Sequence, residues 1–168
     1  MISSICGLKA LRVLRFFWVV VGILVLVPMT SAQKKEKTMA TQHAHGTFTV
    51  KMTPVTPAPA EALGRFSIDK QIVGDLEATT KGEMISGGDP KMGEAGYVAM
   101  EVVTGTLAGK HGSFALQHSA TMSGGAHKMT IVVVPGSGTG ELKGISGTFV
   151  IEIAGGQHSY EFEYLLPE

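Results

Sequence analysis

The 168-residue chain carries 14 basic and 14 acidic residues and has no net formal charge, so it lacks the polybasic footprint of a nucleic-acid-binding protein. Its only cysteine is Cys6, and an intramolecular disulfide framework is therefore excluded.

The first 32 residues differ in kind from the rest. Lys9, Arg12 and Arg15 precede an unbroken apolar run of 12 residues, Phe16 to Val27, followed by Pro28 and the small residues Thr30-Ser31-Ala32. A basic start, a short apolar centre and small residues before a cut after Ala32 are the pattern of a secretory signal peptide. A membrane span needs about 20 apolar residues, so contact with a membrane is expected only if this leader stays uncleaved. Removing it takes away three basic residues and Cys6, leaving 11 basic against 14 acidic residues and a formal charge of −3. Export to a periplasmic or extracellular compartment follows from the leader, whereas translation from Met39 would give a cytoplasmic form. Residues 33–43, with Lys34, Lys35, Glu36 and Lys37, read as a polar tether. Residues 44–168 form one domain, with enough chain for a single core.

Nearly all of that domain reads as strand. Phe48, Val50 and Met52 alternate with polar residues until Pro54, Pro57 and Pro59 end the run. The AEALG segment that follows has room for no more than a helical turn. Arg65 to Val73 alternates again, and a third strand runs from Gly74 to about Ile85. Gly87 to Gly96 is a loop by its Gly and Asp-Pro content. Tyr97 to Leu107 is apolar on both faces: Tyr97, Ala99 and Val103 share one with Glu101, and Val98, Met100 and Val102 form the other. Such a strand is buried twice, inside the domain or against another subunit. Ser113 to Met122, Lys128 to Val134, Thr148 to Ile153 and His158 to Leu165 complete about eight strands.

Two of these segments are repeats. Gly105 to Gln117 (GTLAGKHGSFALQ) and Gly140 to Glu152 (GELKGISGTFVIE) share Gly-x-Leu-x-Gly-x-x-Gly-(Ser/Thr)-Phe-x-(Leu/Ile), with a weaker echo from Gly74 to Met84. Each copy reads as a β-hairpin, glycine supplying the tight connection. With short turns, almost no helix and no second layer, the strands are expected to close into an antiparallel eight-stranded barrel, which removes sheet edges. A two-sheet sandwich is the alternative.

Four long segments, SIDKQIVGDLEATTKGEM, YVAMEVVTGTLAGKHGSFALQHSATM, VPGSGTGELKGISGTF and HSYEFEYLLPE, resemble the bacterial domain of unknown function family 3224 (DUF3224). The resemblance spans residues 44–168 and implies an allene oxide cyclase-like barrel. It implies no reaction, since the family has none assigned and fold likeness does not carry chemistry.

Function is therefore sought in polar residues on faces that should be apolar. Lys70 shares a face with Phe66, Ile68 and Ile72; Glu101 shares one with Tyr97; His118 stands where the second repeat has Ile153; His158 joins Tyr160, Phe162 and Tyr164. Lys70, Tyr97, Glu101, His118 and His158 are thus the candidate ligand-binding residues, and no catalytic residue is assigned. An ionisable group on an inward face must be paired or shift its pKa. Purely structural roles carry more weight on sequence alone: a hydrogen-bonded core histidine, a Lys reaching the barrel mouth, and a Glu that is its ion-pair partner.

No metal site is expected, because the six histidines are spread over separate strands and loops without cysteine partners. No cofactor motif is present: PGSGTGELKG lacks the Gly-Lys-(Ser/Thr) ending of a phosphate loop. Three readings follow. The first is a barrel that binds a small hydrophobic molecule. The second is an isomerase- or cyclase-like enzyme using Glu101, and the third is a homo-oligomeric assembly barrel packed through the strand around Met100.

Overall fold

The computed structural model describes residues 39–167; the expected signal segment and residues 33–38 of the tether lie outside them. Eight strands follow one another in chain order: β1 Gln42–Pro54, β2 Leu63–Gly74, β3 Leu76–Asp89, β4 Glu94–Leu107, β5 Lys110–Ser123, β6 Ala126–Val133, β7 Ser146–Ala154 and β8 Gln157–Leu165. Each pairs antiparallel with the next, and β8 returns to β1 to close the barrel. The all-β closed barrel expected from alternation and turn spacing is the observed fold, and a sandwich is not. β1 starts at Gln42, inside the stretch read as tether, where Gln42 and His43 pair with Tyr164 and Glu163.

Several connections are tighter than the sequence suggested. The segment from Gly87 to Gly96 is mostly strand, with only a single 3₁₀ turn at Pro90–Met92 between β3 and β4, capped by the Asp89 side chain accepting from the Lys91 amide. The AEALG segment forms one hydrogen-bonded turn, Leu63 N to Ala60 O at 3.0 Å. Two-residue turns at Ala108-Gly109, Gly124-Gly125 and Gly155-Gly156 have positive φ at both positions, which matches the twist of the strands they join.

The repeat needs correcting. Its first copy is the β4–β5 hairpin, but its second is not a hairpin. Gly140–Leu142 forms a 3₁₀ turn within the long connection from β6 to β7. That connection folds back over one end of the barrel. Thr139 accepts from the Ser113 amide through its hydroxyl at 3.1 Å and returns its own amide to Ser113 O at 2.8 Å. Gly112 makes this approach feasible, since a Cβ there would stand 2.2 Å from Thr139 O. The shared Gly-x-Leu pattern nevertheless does one common job: Leu76, Leu107 and Leu142 are all fully buried.

These leucines, with Ile145 and Leu166, close that end. Above them the inward aromatic side chains fill the cross-section. Phe149 stacks on Tyr160 with ring centroids 5.0 Å apart, Phe114 on Phe162 at 5.6 Å and Phe162 on Tyr164 at 5.1 Å. Each such ring buried contributes roughly 1.5–3 kcal/mol by its apolar area alone, so half of the barrel is a packed core. The Tyr160 hydroxyl accepts from the Leu76 amide at 3.0 Å, which satisfies a polar atom that burial would otherwise strand.

The other half is not filled. Inward positions there carry small or mobile side chains, including Gly82, Ala99, Ala120, Met84, Met122 and Met129. The wall is also incomplete. Among the described residues β6 and β7 share one ladder pair, Val132 with Thr148, so the barrel gapes between the rest of these strands. Met129 and Ile153, inward-pointing on the two sides of the gap, are 41% and 64% exposed.

Candidate functional site

The open half encloses a cavity of about 800 Å³. Its walls are Phe48, Val50, Phe66, Ile68, Ala120 and Ile151. Its mouth is ringed by methionines, namely Met52, Met84, Met122 and Met129. Methionine is flexible and polarisable, and it adapts to varied apolar shapes. A pocket of this size with apolar walls and a few polar groups is the usual form of a small-molecule site.

All five sequence candidates lie on or directly behind that surface. Lys70, Tyr97, His118 and His158 line the cavity. Glu101 lies beneath, with no side-chain exposure. β4, apolar on both faces and expected to be buried twice, is buried on one within this chain: Tyr97, Ala99, Glu101 and Val103 point inward, while Val98, Met100 and Val102 are exposed on the outer wall.

Three candidates converge into one cluster. Lys70 Nζ donates to Glu101 Oε1 at 2.6 Å, and His118 Nε2 lies 3.0 Å from the same oxygen. Thr80 Oγ1 donates to Oε2 at 3.0 Å. Lys70, Thr80, Glu101 and His118 are the buried polar side chains of the described residues, and none of the cluster's fully buried polar atoms lacks a partner. Burial pushes the Glu101 carboxyl up, but the His118 hydrogen bond and the Lys70 and His118 charges outweigh it and hold the pKa down at about 2. Glu101 is thus an ionised acceptor at neutral pH, and His118 Nε2 must be the donor to it. Burial and the nearby Glu101 charge raise the Tyr97 hydroxyl above its ordinary value, which keeps it a neutral phenol.

The geometry depends on the strand between. Lys70 is on β2 and Glu101 on β4, so their contact passes over β3, where the inward residues are Thr80 and Gly82. A Cβ at Gly82 would fall 2.5 Å from the Glu101 Cβ. Glycine leaves the path clear and Thr80 supplies the third donor. Neither was singled out from sequence. Thr80 could have been, because it follows Leu76 and Ala78 on an apolar face, the same signal that marked Lys70.

His158 stands apart. Its ring packs at 5.0 Å on Phe48 at the β1–β8 seam, where it borders both the cavity and a shallow groove outside it. Phe48 also takes Lys70 Nζ 5.1 Å from its ring centre, a cation–π contact that holds the ammonium at the cavity wall. Among the described residues no group of three or more His, Cys, Asp or Glu side chains is placed to hold a metal ion.

Fold and site together define a small antiparallel barrel with one end packed solid and the other hollow above a buried ion cluster. The family model described as "Protein of unknown function (DUF3224)" matches residues 44–164, and the chain belongs to that family. It is similar to a solved structure, a protein of unknown function from the DUF3224 family of Shewanella oneidensis MR-1, with 42% identity and a TM-score of 0.69 over 77% of this chain and all of that one. No curated protein matches the chain.

Proposed function

We propose that this barrel binds a small hydrophobic molecule in its open half. The observation that carries the reading is the division of the interior, with a packed aromatic core at one end and an apolar cavity of about 800 Å³ at the other. The ion cluster beneath the cavity supports it. A buried ion pair seldom adds stability over apolar side chains of the same volume, so charges kept under a cavity are better explained by contact with a ligand. Glu101 is less suited to the general-base role of the enzyme reading. Its two oxygens already take three donors, and its pKa is about 2, the opposite of the upward shift a carboxylate base at neutral pH needs. The allene oxide cyclase-like class implied by the family resemblance is an analogy of fold and contributes no residue to this reading.

Titration of the full chain with the neutral fluorescent probe N-phenyl-1-naphthylamine tests it. Wild type is expected to bind one probe saturably, and Ala120→Trp, which sets an indole into the cavity, to lose that binding while still folding. Equal binding by both proteins would place the probe elsewhere and overturn the proposal.

A further inference from the structure

The charges around the cavity are one-sided. Lys70, His118, His127, Lys128 and His158 line it, and no Asp or Glu does. Yet the domain as a whole is acidic in balance, and of its described acidic residues Glu101 alone is buried. Glu101 offers no free acceptor, because Lys70, His118 and Thr80 occupy it. Lys70 has donors to spare. An ammonium has three N–H groups, and among the described residues Nζ makes one hydrogen bond. A low-dielectric cleft lined by one sign of charge concentrates the opposite sign.

Resting on the cavity reading above, we infer that the ligand is an amphipathic monocarboxylate. Its tail lies among the apolar walls and methionines, and its head accepts from Lys70 Nζ beside His118. The head is a monoanion because it shares Lys70 Nζ with the Glu101 carboxylate, which repels any second negative charge placed there. Amines and quaternary ammonium compounds meet a cation and no free carboxylate.

Displacement of N-phenyl-1-naphthylamine from the full chain at pH 7 by octanoate, 1-octanol and octylammonium, matched in tail length, tests the inference. A hydrogen bond to a charged group contributes about 1.5–3 kcal/mol, so octanoate is expected to act at roughly tenfold or more lower concentration than 1-octanol, with octylammonium the weakest. Equal potency of octanoate and 1-octanol, or stronger displacement by octylammonium, would overturn the carboxylate assignment while leaving the apolar cavity standing; failure of wild type to bind the probe would remove both. The double variant Lys70→Met/Glu101→Gln, which strands no buried charge, is expected to shrink the octanoate preference to within about threefold. A preference that persisted there would put the anion site away from Lys70. Lys70→Gln, which keeps a donor to Glu101 and removes the cation, gives the same readout should the double variant not fold.

Discussion

Lys70 and Glu101 sit on strands that are not neighbours, yet their charged ends meet at 2.6 Å inside the barrel. β3 lies between them and carries Gly82 and Thr80 at the crossing, one leaving space and the other adding a hydrogen bond. A cluster built this way ties three strands together beneath the cavity and fixes the ammonium that faces it.

Breaking the pair on one side should be costly. Lys70→Met leaves a carboxylate buried without its ammonium partner, for which about 3–5 kcal/mol of destabilisation is expected. Lys70→Met combined with Glu101→Leu should recover most of that loss. Urea unfolding followed by circular dichroism gives the cycle, and a double variant no more stable than Lys70→Met would show that the cost is lost packing and not a stranded charge.

Acid should act through the same carboxyl. The folded pKa of Glu101, about 2, lies below its ordinary 4.5, so the native state binds fewer protons than the unfolded chain across that interval. The stabilisation is complete above about pH 4.5 and disappears as pH falls through about 2, a contribution on the order of a few kcal/mol. In Glu101→Gln the stability profile between pH 4.5 and 2 should be flatter than in wild type. An unchanged slope would mean that other carboxylates carry the acid response.

Thr80→Val removes one of three donors to Glu101 at nearly constant volume. About 1–3 kcal/mol of stability should be lost, and the Glu101 pKa, read by carboxyl carbon NMR, should rise. A pKa that does not move would deny Thr80 its place in the cluster.

The two halves of the barrel should differ in tolerance. Phe162→Ala, in the packed half, is expected to cost about 3–5 kcal/mol. Met129→Ala, 41% exposed at the mouth, should cost well under that. Comparable losses would contradict the division between a solid end and a hollow one.

Alternation carried most of the fold. It paired the residues that share a face on every strand with a candidate residue, but on the doubly apolar β4 it could not say which face is inner; the structure puts Glu101 on the inner face and Met100 on the outer. What it could not give was contact between strands two apart, because period-2 patterning says which wall a side chain leaves and not how far across the barrel it reaches. A Lys70–Glu101 ion pair is one reading of the sequence, but only the geometry brings His118 and Thr80 to the same carboxylate, and Gly82 carries no side chain to be noticed. The repeat misled for a related reason. Leu107 and Leu142 are buried alike at one end, but a hairpin follows only where two-residue turn geometry connects the flanking strands; the second copy instead follows Pro135 and a glycine-rich loop that lies across the barrel end.

The most direct test of a cavity ligand is the methionine methyl NMR spectrum of the full chain during titration with N-phenyl-1-naphthylamine. Met52, Met84, Met122 and Met129 surround the cavity, while Met100 lies on the outer wall. Saturable shifts at the four mouth methionines with Met100 unmoved are expected. Shifts centred on Met100, or none at the mouth, would contradict a ligand held in the open half of the barrel.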